Sequence, residues 1–484
     1  MTPKSRTLLT ALALLTSLTA CHPTAPPARP SPTHATPTHA SRDQAAGTER
    51  PAARHDRPRE DLPQKTLAPK TPAQKTLARE NTAQVTPAPA GPARATPAHA
   101  DAAPSAPAQA GPAPATSASA RAIPGCVSSV PYVSGQGGYA TYRIPAVVKT
   151  RYGAVLAFAE GRRDGAADTG DIDVVLRRSA DGGCTWGPLT VVAGEHGDTR
   201  GNPAPVEDPR TGAVVLVTCG NDGKATEDQI RRGAGDRRVF VQRSWDDGRH
   251  FTAPAEITAQ VKLPGWRWYA TGPGHALALT RGPHAGRLLI PANHSVASPA
   301  MSSGPGSRYD GGHALYSDDD GRTWQLGFVT ETQDGVTNVN ETTAAQLPDG
   351  RLYFNARDQY GTAPGNRLDT YSDDGGTTLD RPYAVQPTLN AVPVVQGSLL
   401  QVRGPAAPLL FSAPSVPTAR RALALWSSTD AGRTFTKLLT LSDRPAAYSD
   451  LVQLGSGTIG VLYETGATHS YDTVEFRRLT LSRS

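Results

Sequence analysis

Five segments of this chain repeat one eight-residue pattern, Ser-x-Asp-x-Gly-x-Thr/His followed by an aromatic residue or Leu. They are Ser179–Trp186 (SADGGCTW), Ser244–Phe251 (SWDDGRHF), Ser317–Trp324 (SDDDGRTW), Ser372–Leu379 (SDDGGTTL) and Ser428–Phe435 (STDAGRTF), with starts 65, 73, 55 and 56 residues apart. The pattern reads as a hairpin turn. The Asp carboxylate accepts the turn's own N–H groups, Gly takes the positive φ of the reversal, and the last residue packs beneath. Between the turns lie alternating or apolar runs such as DVVLRRS, AVVLVT, RVFVQRS, HALYSDD and LALWSST, which read as short strands. No convincing amphipathic helix is found. A period of about 60 residues over a stretch of about 360 predicts six units. An all-β, six-bladed β-propeller fits, because radial closure leaves only short, protected edges. Five turns for six blades is expected where one blade lacks the turn or is closed by both chain ends.

The repeats leave the amino-terminal quarter of the chain unexplained. Its first aromatic residue is Tyr132, and positions 22–124 hold 20 of the 44 prolines among Ala, Thr and charged residues. Such a stretch cannot bury enough apolar surface to offset ordering, so 22–124 is expected to be a disordered linker. QKTLA recurs at Gln64–Ala68 and Gln74–Ala78, as low-complexity spacers do. Ahead of it, Lys4 and Arg6 precede the apolar run Leu8–Leu18, then Leu18-Thr19-Ala20-Cys21. Residues 1–21 therefore read as an export signal. Cys after small residues resembles the bacterial lipobox, which implies lipidation of Cys21; ordinary cleavage near Ala20 is the alternative. Either way the protein is expected to be exported: secreted, or held on the outer face of the cell membrane by a lipid anchor alone. The folded domain is expected to span 125–484 and to be a monomer.

The net charge of +6 does not point to nucleic acid. Residues 1–124 hold 14 of the 49 Lys+Arg and 7 of the 43 Asp+Glu, so the remainder carries 35 against 36. The basic excess belongs to the signal and linker. After Cys21 only Cys126, Cys184 and Cys219 remain, allowing one bridge at most and offering no CxxC zinc spacing. His275, His284, His294 and His313 lack metal-ligand spacing on one element, and HExxH, GxSxG and a complete dinucleotide loop are missing. Neither a metal nor a cofactor is expected.

The five turns resemble the Asp-boxes of the sialidase superfamily, a motif shared with non-catalytic propellers, so function must come from other residues. Tyr142-Arg143-Ile144-Pro145 resembles the family's YRIP motif, which implies that Arg143 is the first of three clamps on a substrate carboxylate. Phe158-Ala159-Glu160-Gly161-Arg162 and the loop Asp164–Asp173 resemble the segment carrying the acid/base Asp. Asp168, six residues after Arg162, holds the family position, with Asp164 the alternative; Asp171 and Asp173 are expected to position the loop. Arg162 resembles a subsite contact near the sugar O4. Glu341, in Asn340-Glu341-Thr342, matches the residue that polarises the nucleophile, and Arg357, sixteen residues later, matches the second clamp. Arg420, eight residues before the fifth turn, matches the third clamp, and Tyr448, twenty residues after that turn begins, matches the nucleophile. Glu464 matches a carboxylate that orients the first Arg. Asn202 stands where some relatives carry Asp, which bears on fine specificity. Trp266, Trp268 and Tyr269 line the site or pack between blades.

These residue types suit a sugar acid. A 2-keto sugar acid keeps its carboxylate ionised, Arg cannot lose its proton, and its planar fork matches a carboxylate. That carboxylate repels a carboxylate nucleophile; a neutral phenol avoids the repulsion, and Tyr is the known sialidase exception to the paired-carboxylate rule. A phenol with an ordinary pKa near 10 needs a base, here Glu341. The resemblance thus implies a retaining exo-α-sialidase acting through a tyrosyl-enzyme intermediate on sialylated glycoproteins, glycolipids or oligosaccharides. Sugar transfer, including intramolecular transfer, and a non-catalytic sialoglycan-binding propeller remain as alternatives.

Overall fold

The computed structural model describes residues 118–122, 126–296, 310–332, 335–405 and 407–483. The expected signal 1–21, Cys21 and the linker up to residue 117 lie outside the described residues. The linker's expected end is corrected by a strand, Ala118–Ala122, that pairs antiparallel with Thr473–Arg483, so the β structure begins before residue 125. Ala, Ser and Arg carry little strand preference, so their side chains do not announce it; backbone pairing with the last strand makes it.

The architecture is all-β. An up-and-down meander recurs along the chain, as in Thr141–Lys149, Val155–Arg162, Ile172–Ser179 and Thr190–Ala193, or Val339–Gln346, Leu352–Asp358, Arg367–Ser372 and Ala384–Val385. Hydrogen bonding joins the strands into sheets of eight, eight, five and four. Two meanders merge where Ile172 pairs with Thr199, and another two share the 20-residue strand Thr436–Gly455. The chain ends meet in one sheet, since Ser128–Val133 also pairs with Thr473–Arg483. The first strands of successive meanders contact one another, Leu399 donating its N–H to Thr343 Oγ1 at 3.0 Å and Val147 its N–H to Asp450 Oδ2 at 2.8 Å.

The five repeated turns follow the chemistry read from them. In the first, Ser179 Oγ donates to Asp181 at 2.7 Å and accepts from Gly183 N–H at 2.8 Å, while Asp181 accepts from Thr185 N–H at 2.9 Å. The same bonds recur at Ser244, Ser317, Ser372 and Ser428. Gly183 has φ +90°, and a side chain there would collide with the Phe476 ring of the neighbouring meander. The turn is thus a clip between meanders as well as a reversal. Trp186, its last residue, packs edge-on against Phe476 at 5.5 Å. Cys126 is bridged to Cys184 in the same turn, and Cys219 is free and buried.

Helix is confined, among the described residues, to short pieces, including Glu227–Arg231 and Thr258–Val261. The first lies where the sequence shows no amphipathic pattern. Thr226 caps it, with Gln229 completing a capping box, a T-x-x-Q signal visible in the sequence.

One core cluster is polar. His294 stacks on Trp266 at 3.6 Å, and its Nδ1 lies 3.0 Å from His313 Nδ1. Both rings are fully buried, and Glu331 reaches His294 Nε2 at 3.1 Å. Burial lowers the His294 pKa to about 3 and drives His313 well down, with His294 adding to it. The native state therefore binds fewer protons than the unfolded chain below about pH 6.5, and stability falls as pH drops through that window. Urea midpoints measured from pH 7 to pH 4.5 should show a loss of roughly 2 kcal/mol per ring. A His294→Gln/His313→Gln variant should show a flatter profile; equal slopes would refute the assignment.

Candidate active site

The site is made where first strands stop alternating. Arg143 and Ala146 face Glu160 and Phe158, three steps against two, which defines a bulge; Ile144 within it has φ +56°. Equivalent shifts fall at Gly201/Ala204, Trp266/Tyr269, Val339/Thr342 and Ala446/Ser449. Bulges re-aim side chains. Arg143, Asn202, Trp268, Glu341 and Tyr448, each in or beside one of these bulges, line a single cavity of about 160 Å³ together with Arg162, Asp168, Arg357 and Arg420.

Glu464 is fully buried and organises one wall. It accepts from Arg143 Nε at 3.1 Å and Nη2 at 3.3 Å. It also accepts the Ile144 N–H at 2.8 Å and the Tyr448 N–H at 3.1 Å. A single carboxylate therefore aims the Arg143 guanidinium and fixes the backbone of Tyr448.

The Tyr448 phenol donates a short hydrogen bond to Glu341 Oε1, and Arg357 Nη1 reaches the same phenol oxygen at 3.2 Å and Glu341 Oε2 at 2.9 Å. Arg143 and Arg420 lie 5.0 and 5.7 Å from the Tyr448 ring centroid. The three arginines, 277 residues apart at the extremes, thus surround one phenol. Burial, then the Glu341 carboxylate, pushes the Tyr448 pKa well above its ordinary value, against Arg357, Arg143 and Arg420. Arg357 Nε is buried without a hydrogen-bond partner.

Asp168, half-exposed at the cavity mouth, pairs with Arg162 at 2.8 Å and lies 3.6 Å from Arg143. Partial desolvation raises its pKa, but Arg162, then Arg143 and Arg237, outweigh this and hold it below the ordinary carboxylate value. Asp164 is exposed and does not line the cavity. Asp173 accepts from Tyr139 Oη and Arg163 Nη2, both at 2.6 Å, and Asp171 pairs with Arg163 at 3.3 Å, so both brace the base of the loop.

Two residues of the cavity lining also bond within the protein. Arg162 lines the cavity, yet its donors go to Glu160 Oε2 (3.0 and 2.6 Å), to the carbonyls of Ala166 (2.6 Å) and Ala167 (2.9 Å), and to Asp168. It holds the Asp168 loop while lining the cavity. Asn202, also in the lining, spends its amide oxygen on Arg237 Nη2 at 2.6 Å.

Trp266 and Tyr269 belong to the core, whereas Trp268 lines the cavity with Arg237 4.0 Å from its ring. Glu160, Tyr471 and the helix Glu227–Arg231 were not anticipated. Glu160 accepts the Asn202 N–H at 2.7 Å, Tyr471 lies between Arg143 (4.2 Å to its ring) and Arg420 (3.1 Å to its hydroxyl), and Arg231 pairs with Glu227 at 2.7 Å and Asp310 at 2.6 Å. The helix carried a sequence signal in its capping box and Glu160 lies within the quoted Phe158–Arg162 motif, whereas Tyr471 carried none. Among the described residues, no group of three His, Cys, Asp or Glu side chains is arranged to hold a metal ion.

Residues 153–461 match the family described as "BNR repeat-like domain". The chain is 31% identical to an exo-alpha-sialidase of Aspergillus fumigatus over 71% of its own length and 85% of the relative's. It is 33% identical to a sialidase of Micromonospora viridifaciens over 70% of this chain, spanning about half (52%) of that longer protein. Among solved structures, the Hadza microbial sialidase Hz136 superposes with a TM-score of 0.61 at 26% identity, covering 72% of this chain and 67% of that one. A BNR-repeat β fold whose cavity gathers three arginines around a phenol defines the class, and the chain belongs to the sialidase family.

Removing Glu464 strands a buried guanidinium and two backbone N–H groups. Glu464→Ala should lower stability by about 3–5 kcal/mol in urea unfolding. A loss below about 1 kcal/mol would mean that Arg143 finds another partner, contrary to the geometry described.

Proposed function

We propose that this chain is an exo-α-sialidase that releases terminal α-linked sialic acids from glycoconjugates with retention. The observation that carries the proposal is the Tyr448–Glu341 hydrogen bond with Arg357 on the same oxygen and Arg143 and Arg420 flanking the ring. Arg143, Arg357 and Arg420 take the substrate carboxylate, which sets the anomeric carbon beside Tyr448 Oη. The phenol oxygen attacks that carbon and passes its proton to Glu341. The glycosidic bond breaks, and the leaving oxygen takes a proton from Asp168. Water then attacks the same carbon, giving its proton to Asp168, while Glu341 returns a proton to the departing phenolate. Two displacements restore the starting configuration.

Asp168 must hold a proton at the first step, and in the empty site Arg162 and Arg143 oppose this. A substrate carboxylate on Arg143 offsets that guanidinium and raises the Asp168 pKa where the proton is needed. Arg162 and Glu160 serve to hold the loop, and Glu464 to orient Arg143 and Tyr448.

On the same reading the fold is a six-bladed β-propeller. Each eight-stranded sheet is two blades joined at an edge, one by the Ile172–Thr199 pair and one by the strand Thr436–Gly455. The amino terminus directs export, with Cys21 as the lipidated residue and the linker as a tether.

Hydrolysis of a fluorogenic sialoside tests the assignment. Tyr448→Phe should lower kcat by at least about 10³-fold, the scale at which losing a catalytic group is felt. Asp168→Ala should cost about 10²-fold or more with a sugar leaving group and far less with an activated phenol, because only the former needs a proton. Unchanged turnover in both variants would overturn the residue roles. Wild-type binding without turnover would identify a sialoglycan-binding propeller. Transferred or anhydro sugar in place of free sugar would identify a transferase.

A further inference from the structure

Beneath the phenol–carboxylate pair runs a turn, residues 271–276, that no step above employs. Its bonds reach both halves of the pair. The Gly272 carbonyl accepts the N–H of Thr342, the residue after Glu341, at 3.2 Å. The Pro273 carbonyl accepts from Gln396 Nε2 at 3.2 Å. Gln396 in turn brackets Ser449, the residue after Tyr448: it accepts the Ser449 N–H at 3.0 Å and donates to the Ser449 carbonyl at 3.0 Å. His275 completes the arrangement, with its N–H 2.9 Å from Asp450 Oδ2 and its Nδ1 2.7 Å from Asp450 Oδ1. A carboxylate only accepts, so this contact puts a proton on Nδ1.

Asp450 is fully buried, two residues beyond Tyr448. It also accepts the Val147 N–H at 2.8 Å, Ser398 Oγ at 2.7 Å and the Leu451 N–H at 3.1 Å, joining the strands of Arg143, Ser398 and Tyr448 to the turn. Close approach is built in at Gly274, whose φ is +104° and where a Cβ would lie 3.0 Å from Asp450 Oδ1. Any side chain there would push the turn off the carboxylate. His275 does not touch the catalytic cavity. It lines a second cavity of about 430 Å³, on whose wall Lys149, Glu207, Arg281 and Arg403 also lie.

We propose that His275 is a positioning residue. Acting through Asp450 and the 271–276 turn, with Gln396 as the second tie, it holds Tyr448 Oη on Glu341 and so governs the bond-forming step without contacting substrate. The inference rests on Tyr448 being the nucleophile. A first strand interrupted by a bulge beside Tyr448 cannot fix the phenol by its ladder alone, and the bonds to Ser449 and Asp450 supply what the bulge removes.

Wild type, His275→Ala and His275→Asn of the full chain would be compared on a sialoside with an activated phenol leaving group. kcat, KM and thermal midpoint are measured, together with the rate at which a fluorinated sialoside labels the protein, the labelled residue being found by peptide mass. Displacing the phenol by about an ångström should lower kcat of His275→Ala tenfold to a hundredfold, with KM within about threefold and labelling slowed in step. His275→Asn, whose amide N–H replaces Nδ1–H, should return kcat to within about threefold of wild type. Wild-type kcat and labelling rate in His275→Ala would overturn the positioning role alone. A joint fall of kcat and thermal midpoint that Asn does not rescue would overturn it too, reducing His275 to a structural residue. Wild type labelled elsewhere than Tyr448 would overturn the catalytic reading, and this inference with it.

Discussion

A bulge in a buried strand leaves backbone N–H groups without ladder partners in a place water does not reach, and such groups are costly unless satisfied. Here buried carboxylates satisfy them. Glu464 takes the N–H groups of Ile144 and Tyr448, and Glu160 takes that of Asn202. A buried carboxylate is itself costly unless its charge is matched, and each of these two is matched by an arginine, Arg143 or Arg162. The interaction that makes the bend tolerable also aims a guanidinium at the cavity. Structural necessity and site geometry are the same set of bonds.

That device works only if strands remote in sequence are neighbours in space. Arg143 and Glu464 lie 321 residues apart. What brings them together is closure: the last strand takes both amino-terminal strands as partners, and the first clip turn packs on Phe476 of that same strand. The Cys126–Cys184 bridge ties the amino-terminal segment to that clip. The disulfide, the clip and the chain ends therefore converge on the seam whose integrity sets the distance between Arg143 and Tyr448.

Much of this was legible in the sequence because it is carried by side-chain chemistry at fixed spacing. The clip turns need Ser, Asp and Gly at set offsets, so they declare themselves. The three arginines, Tyr448, Glu341 and Glu464 come together as the family resemblance implied. What escaped is carried by backbone geometry or by long-range partners. Ile144 at φ +56° is invisible because a β-branched residue is the last expected there. Ala118–Ala122 is a strand only because its partner is present. Tyr471 stands in a loop with no periodic pattern, and its place between Arg143 and Arg420 follows from closure alone. The bonds of Arg162 to the Ala166 and Ala167 carbonyls were not legible either, because backbone acceptors carry no side-chain signature. The helix at Glu227 was the avoidable omission, since its capping box is written out at Thr226 and Gln229.

The charges of the cavity explain why an extra anion has a place in it. Arg143 divides its guanidinium between Glu464, which is fully buried and cannot leave, and Asp168, which is half-exposed on a loop. Arg357 keeps one nitrogen unpaired, and Arg420 contacts neutral oxygens of Tyr471 and Val394. On the proposed reading, a sugar carboxylate entering here meets one partner, Asp168, that can yield, while the buried Arg143–Glu464 pair stays intact. In the proposed mechanism the group that yields is the one that must next carry a proton. Placing the movable carboxylate on the same guanidinium as the substrate couples recognition to acid catalysis, and it does so without disturbing the carboxylates that hold the strands in their bent form.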